Sequence, residues 1–340
     1  MPDQQGDLRL AVLGVGMMGA FHADRLSRVV RGARVTVIND ARAEQAEKIA
    51  GQIPGARVEP DPLAAIAAED VDAVVIASPG RFHAEQVAAC LDRGIPVLAE
   101  KPLTTDAESA YRIVQQEAAL PSPLIQVGFM RRFDTEYVQL RELIMSGDIG
   151  EPLLLHCVHR NPAARPEFDS SMMITDSVVH EVDVVRFLLG EEITAVQVIK
   201  PAPTPGTPDG QSDPMLVLLT TEGGRVATVE IFARSGAGYQ VRTELVGSAG
   251  SALIGLDRGM ITTGPGTAGV QRSEAIAPTF IERFATAYTT ELQRFVDAAR
   301  AGRIDGPGTW DGYAAAAVCE AGVAAVRTGE RVQVSLQARP

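Results

Sequence analysis

The sequence predicts an α/β chain: an N-terminal Rossmann-type, doubly wound parallel sheet, then an α+β domain with a large, open, mostly antiparallel sheet. Three observations predict it. An apolar run at 8–13 leads into the glycine turn Gly14-Val15-Gly16-Met17-Met18-Gly19. Continuous apolar runs at 71–77 and 95–99 alternate with helical stretches, as expected of parallel strands covered on both faces. Beyond residue 150 the pattern changes to period-two alternation, at 153–160, 193–200, 215–220, 225–232 and 239–246. A chain of 340 residues exceeds one typical core, so two domains are expected, 1–128 and 129–340.

The first unit is read in chain order. After the glycine turn a helix runs to about Arg31, and a second strand at 35–38 ends at Asp40. Gly14 permits the tight turn, Gly16 lets backbone approach a pyrophosphate, and Gly19 lets the helix pack on the strand. The helix start at Met18 and Gly19 offers free N–H groups to phosphate. Asp40, about 20 residues beyond the glycines, can accept hydrogen bonds from ribose hydroxyls. It would repel a 2′-phosphate, which favours NAD over NADP, while Arg42 leaves NADP as the minority option. Ser78-Pro79 ends the strand at 71–77, and a helix from His83 to Asp92 stops at Gly94. Glu100-Lys101-Pro102 ends the strand at 95–99, and a strand at 124–128 closes the unit. Ligands of parallel sheets bind beyond such carboxyl ends. The expected cofactor residues are therefore Gly14, Gly16, Met18, Gly19, Asp40, Ser78, His83, Glu100 and Lys101.

Composition narrows the function classes. Hydrophobic residues make up 46% and charged residues 22%, an ordinary globular balance. A formal net charge of -12 leaves no basic surplus for nucleic acid or an anionic membrane. No apolar run approaches the ~20 residues of a membrane span. The start, MPDQQGDLRL, lacks a signal-peptide core, so the cytoplasm is the expected compartment. Cys90, Cys157 and Cys319 are far apart, which indicates neither a disulfide framework nor a zinc site. Lys48, Lys101 and Lys200 are the only lysines, so one placed in a motif carries weight.

The helix expected from Asp176 to Leu189 is the second informative segment. Val178, Val182, Val185 and Leu189 form an apolar stripe, Asp176, His180 and Asp183 line the other side, and Gly190 ends the helix. Three readings stay open: a solvated polar face with Asp176 as the cap, an Asp–His pair with His180 as general base, and an Asp-x3-His metal chelate. His156 and His159 lie three apart on a strand and so point to opposite faces. Lys101 is either a surface lysine or a cation that polarises an oxygen during hydride transfer. Tyr239, beside Gly238, is either a substrate partner or an ordinary strand residue. His22 is read as a packing or cofactor-shell residue. Residues 201–214, rich in proline and glycine, are read as a surface loop.

These segments together resemble the Gfo/Idh/MocA oxidoreductase family over nearly the whole chain. Those that carry the resemblance are the glycine turn, Ser78-Pro79 with His83, Glu100-Lys101-Pro102, and the helix with Asp176 and His180. Within the family, VGFMRRFD from Val127, His159-Arg160-Asn161, TDSVVHEVDVVR from Thr175, and Gly238-Tyr239 are most similar to its inositol-oxidising members. The resemblance implies NAD as cofactor, no metal, a small polyol or sugar as substrate, and a homotetramer built through the second-domain sheets. It implies Lys101, Asp176 and His180 as catalytic residues, with His180 taking the hydroxyl proton. It implies Met130, Arg131, His159, Asn161, Asp176, His180, Asp183 and Tyr239 around the substrate. Phe133 stands where the family pattern leads one to expect Tyr. Competing implications are oxidation of scyllo-inositol or another sugar, an NAD-dependent glycosidase, and a non-catalytic sensor of the same fold.

Overall fold

The structure, a computed structural model, describes residues 6–256, 262–264, 270–272 and 276–340. It divides into two compact units. One comprises 1–133, 286–317 and 336–340; the other comprises 134–285 and 318–335. The division is not a single cut near residue 128, because two late segments pack with the N-terminal residues.

In the first unit, strands β1 (Leu8–Leu13), β2 (Ala33–Asn39), β3 (Arg57–Val58), β4 (Ala73–Ile76), β5 (Val97–Glu100) and β6 (Ile125–Gly128) form a sheet. Their order is β3-β2-β1-β4-β5-β6, and every pairing is parallel. This is the doubly wound order, with its switch point between β1 and β4. The helices between them are α1 (Met17–Arg28), α2 (Ala43–Ala50), α3 (Pro62–Ala67), α4 (His83–Arg93) and α5 (Ala107–Ala118). Asp61 and Asp106 cap α3 and α5 by accepting the N–H groups of Leu63 and Ser109, and Gly94 ends α4 at a positive φ of 73°.

The late segment completes this core. Leu292, Phe295, Val296 and Ala299 are spaced as one helix face and join the cluster of Leu10, Val12, Ile38, Val75 and Leu98. β6 is an edge strand, and its Val127 N–H is taken by the carbonyl of Pro307 (2.8 Å).

The second unit holds α6 (Thr135–Ser146), β7 (Pro152–Arg160), a short turn α7 (Ser170–Met172), α8 (Val179–Leu189) and strands β8 (Ile193–Ile199), β9 (Met215–Thr221), β10 (Val226–Phe232), β11 (Gln240–Gly247) and β12 (Ser251–Ile254). With a late strand at Val332–Gln333 they make a seven-stranded sheet among the described residues, antiparallel except where β10 runs parallel to β7. Burial alternates along β7, β9 and β10, so one sheet face is buried and the other is open. The open face carries Leu154 between Val226 and Val246, with Leu216, Leu218 and Phe232 on neighbouring strands.

Two expectations about helix 176–189 need correction. The α-helix begins only at Val179, and Met173–Val178 forms a π turn in which the Val179 N–H reaches Ile174 O, five residues back. Asp176 lies inside that turn and is not the residue that precedes α8 as its N-cap, a position held by Val178. Nor is there a solvated polar face, since every residue from Val179 to Leu188 is buried, His180, Glu181, Asp183 and Arg186 included. A helix buried all round is a core helix, and its polar groups need internal partners. The C-terminal expectation holds, with Gly190 at φ 67° ending α8.

The loop 201–214 is exposed through residue 210 and anchored at its end. The Gln211 side-chain oxygen accepts the N–H (2.7 Å) and hydroxyl (2.8 Å) of Ser170. Asp213, fully buried, accepts the Ala233 N–H (2.8 Å) and pairs with Arg234, which also donates to Phe168 O. The loop thus braces the chain entering the π turn.

Replacing Phe295 by alanine removes the largest side chain that the late helix adds to the first core. The expected loss is roughly 3–5 kcal/mol of unfolding free energy, read from urea denaturation. A loss under about 1 kcal/mol would show that this helix is not part of that core.

Candidate active site

The glycine turn is fixed by sterics. Gly14 has φ 78°, and a Cβ there would lie 2.5 Å from the backbone N and Cα of Ser78, so the turns after β1 and β4 touch through their main chains. A Cβ at Gly19 would collide with the carbonyl oxygen of Gly14. Gly16 differs, because nothing lies within 4 Å of its Cβ position. It begins α1 with no side-chain cap, and the first turn carries no acid. The helix therefore presents its first N–H groups, and open space, to an anion.

Asp40 closes the cradle. One carboxylate oxygen accepts the Val15 N–H (2.9 Å), and the other accepts the N–H (2.9 Å) and guanidinium Nε (3.2 Å) of Arg42. Burial would raise its pKa, but these hydrogen bonds outweigh burial and hold it below the usual carboxylate range. Arg42, the residue that kept NADP open, is paired with this carboxylate. Donors for a pyrophosphate and an ionised acceptor for ribose hydroxyls thus stand in one place, which fits a dinucleotide.

The ends of β4 and β5 are cross-braced. The Ser78 hydroxyl donates to Gln86 (2.7 Å). His83 is fully buried, with Nδ1 2.7 Å from the Pro102 carbonyl and Nε2 2.8 Å from that of Ser78. Burial pulls its pKa below the ordinary imidazole value, against the two carbonyls. Expected among the cofactor contacts, His83 commits both ring nitrogens to the turns. Glu100 is buried; Oε1 lies 2.7 Å from Nε2 of His22 and Oε2 accepts the Lys101 N–H (3.2 Å). Burial pushes its pKa up, but His22 and Lys101 more than offset this, so it stays below the usual range. Lys101 itself is half-buried at the strand end. Met130 and Arg131 lie almost wholly buried in the 3-10 turn Met130–Phe133, and Phe133 packs beneath the Arg294 guanidinium (5.2 Å).

In the second unit β7 and α8 assemble a buried polar cluster. His159 lies with Nδ1 3.1 Å from both carboxylate oxygens of Glu181. Its ring stands 6.4 Å from that of His180 and 5.6 Å, edge to face, from that of Tyr239. Tyr239, just before β11, is buried and also meets Phe280 and Phe284. Asp183 is buried, while Asp176 is half-buried in the π turn, about one turn before His180. Asn161 holds the next loop through its backbone, its carbonyl accepting the N–H (3.0 Å) and hydroxyl (2.9 Å) of Ser235. His156 faces the open side and meets Thr228 (2.9 Å), as the strand period requires.

Two residues were missed as site members. Glu181 falls at i+3 from Val178, within the apolar stripe, and a charge on that stripe was the available signal. His22 is read from the sequence as a packing or cofactor-shell residue, and nothing in its spacing connects it to Glu100, 78 residues away. Among the described residues no group of three His, Cys, Asp or Glu side chains is arranged to hold a metal ion.

Replacing Asp40 by serine removes the charge at the second strand end. The expected effect is about 10- to 100-fold lower kcat/KM with NAD, with NADP gaining relative to it. Steady-state kinetics with both dinucleotides check this, and an unchanged NAD preference would contradict the role given to Asp40.

Comparisons with known proteins place the chain in a family. Residues 8–129 match the family model for the oxidoreductase family with an NAD-binding Rossmann fold, and residues 141–334 match its C-terminal alpha/beta domain. An inositol 2-dehydrogenase of Rhodococcus erythropolis is 58% identical over 345 residues, covering 100% of this chain and 98% of the relative. One of Rhodococcus jostii is 57% identical, covering 97% and 93%. The myo-inositol dehydrogenase of Lactobacillus casei, solved in complex with NAD(H) and myo-inositol, superposes with a TM-score of 0.93 at 34% identity, covering 98% of each chain. The chain belongs to the Gfo/Idh/MocA oxidoreductase family.

Proposed function

We propose that this chain is an NAD-dependent inositol 2-dehydrogenase, oxidising myo-inositol to 2-keto-myo-inositol. The observation that carries this reading is the end-to-end likeness to inositol 2-dehydrogenases above 50% identity. The buried His159–Glu181–His180–Tyr239 cluster supports it. A substrate with a hydroxyl on every carbon needs many fixed donors and acceptors, and such a cluster provides them.

NAD, when bound, supplies the acceptor for the hydride that leaves the carbinol carbon. The chain supplies the rest. His180 takes the hydroxyl proton as general base, and Asp176 orients the ring and stabilises its charged form. The Lys101 ammonium polarises the oxygen as it becomes a carbonyl. Met130, Arg131, His159, Asn161, Asp183 and Tyr239 position the polyol. Gly14, Gly16, Met18, Gly19, Asp40, Ser78 and Glu100 hold the dinucleotide or the turns that face it, and His83 contributes through those turns. We assign the enzyme to the cytoplasm, where its three buried free cysteines stay reduced.

Purified protein with NAD and myo-inositol is expected to form NADH, followed by absorbance. Lys101→Ala and His180→Ala should each lower turnover at least about 100-fold while leaving NAD binding within a fewfold. Activity confined to an aldose would overturn the substrate, and unchanged turnover in either variant would overturn the mechanism.

We also propose a homotetramer built on the open sheet face. Leu154, Ile199 and Leu253 remain 38%, 44% and 47% exposed there, apolar side chains that a subunit contact would cover. Light scattering should give four copies, and Leu154→Glu with Leu218→Glu should give a smaller species. A monomeric native protein would contradict the assembly.

A further inference from the structure

Lys101 hangs from a turn that a second, buried residue holds in place. His22 projects from α1, the helix that starts at the glycine turn, and is fully buried. Its Nε2 lies 2.7 Å from Oε1 of Glu100, and its Nδ1 has no hydrogen-bond partner. The one partnered ring nitrogen, Nε2, is the one that can donate to the carboxylate. Phe21 and Tyr288 meet the ring edge to face at 6.1 and 5.9 Å and fix its plane. The other Glu100 oxygen accepts the Lys101 N–H at 3.2 Å. Gly128 leaves the room, because a Cβ there would lie 3.1 Å from that same oxygen. From the far side His83 holds the Pro102 carbonyl at 2.7 Å.

We propose that His22 is a positioning residue for Lys101, acting through the Glu100 carboxylate. It ties the helix that begins at the phosphate cradle to the strand end that carries the lysine. Without it, Glu100 keeps only the Lys101 N–H and is free to rotate toward solvent or the ammonium, and the turn loses its fixed geometry. A catalytic group displaced by about 1 Å can cost 100-fold in rate while substrate and cofactor still bind. The inference rests on the role proposed for Lys101, and its test includes a readout that needs no substrate.

The chain has three lysines, so reductive methylation with 13C-formaldehyde gives three side-chain signals, and Lys101→Arg identifies one of them. In the apoenzyme, His22→Phe is expected to shift the Lys101 signal while those of Lys48 and Lys200 stay put. In unmethylated enzyme the same variant is expected to lower kcat about 10- to 100-fold with the NAD dissociation constant within about twofold. His22→Gln, whose amide can donate to Glu100, should recover both readouts to near the native values. An unmoved Lys101 signal overturns the proposal, as does a kcat loss matched by an equal loss of NAD affinity that His22→Gln fails to restore. If His22→Phe does not fold, Glu100→Gln carries the same expectation, and an unmoved signal there overturns it equally. Native enzyme inactive on myo-inositol would instead count against the proposed substrate, since the resonance readout is independent of it.

Discussion

A carboxylate withdrawn from water must find charge or hydrogen bonds inside the protein or give up its ionisation. In each unit a buried imidazole meets that constraint for one buried carboxylate among the described residues. Glu100 is held by His22, and Glu181 by His159. Both pairs lie beside residues proposed for the reaction. Glu100 carries the N–H of Lys101, and the His159 ring stands among His180 and Tyr239. Neither Glu100 nor Glu181 needs to touch substrate for the site to depend on it. They turn flexible polar groups into fixed ones, and fixed donors and dipoles are what stabilise developing charge.

The parallel sheet decides where these groups can stand. Burial on both faces leaves the carboxyl ends of its strands as the places where polar side chains can converge. There the main-chain contact of Gly14 with Ser78 draws the ends of β1 and β4 together, and His83 bridges β4 to β5. Helix α1 then serves twice, its uncapped start facing the phosphate position and its His22 reaching under β5. In the second unit a helix buried on all sides forces its acids and histidine to find partners within the fold. Its entry is widened into a π turn at Asp176 and braced by the 201–214 loop through Ser170 and Phe168.

Much of this was legible in the sequence because it is local. The strand at 8–13, the glycine turn, the strand ends at Ser78 and Glu100, the alternating strands and the Gly190 stop all follow from short-range pattern and turn chemistry. Four features were not legible. The π turn leaves the same four-residue spacing between Asp176 and His180 that an α-helix does, so periodicity cannot reveal it. The burial of α8 depends on what covers its polar side, and a stripe of valines is silent on that. The His22–Glu100 pair joins residues 78 apart, and the late segment 286–317 packs with the first unit despite its position in the chain. Such long-range contacts are set by topology, not by neighbours in sequence.

The central claim is that the carbinol hydrogen of inositol leaves as hydride to NAD while His180 takes the hydroxyl proton. Myo-inositol carrying deuterium at C2 tests it most directly, with mass spectrometry of the reduced dinucleotide. One deuterium is expected in every NADH formed, and unlabelled NADH when unlabelled myo-inositol is oxidised in D2O. Unlabelled NADH from the C2-deuterated substrate would contradict the claim.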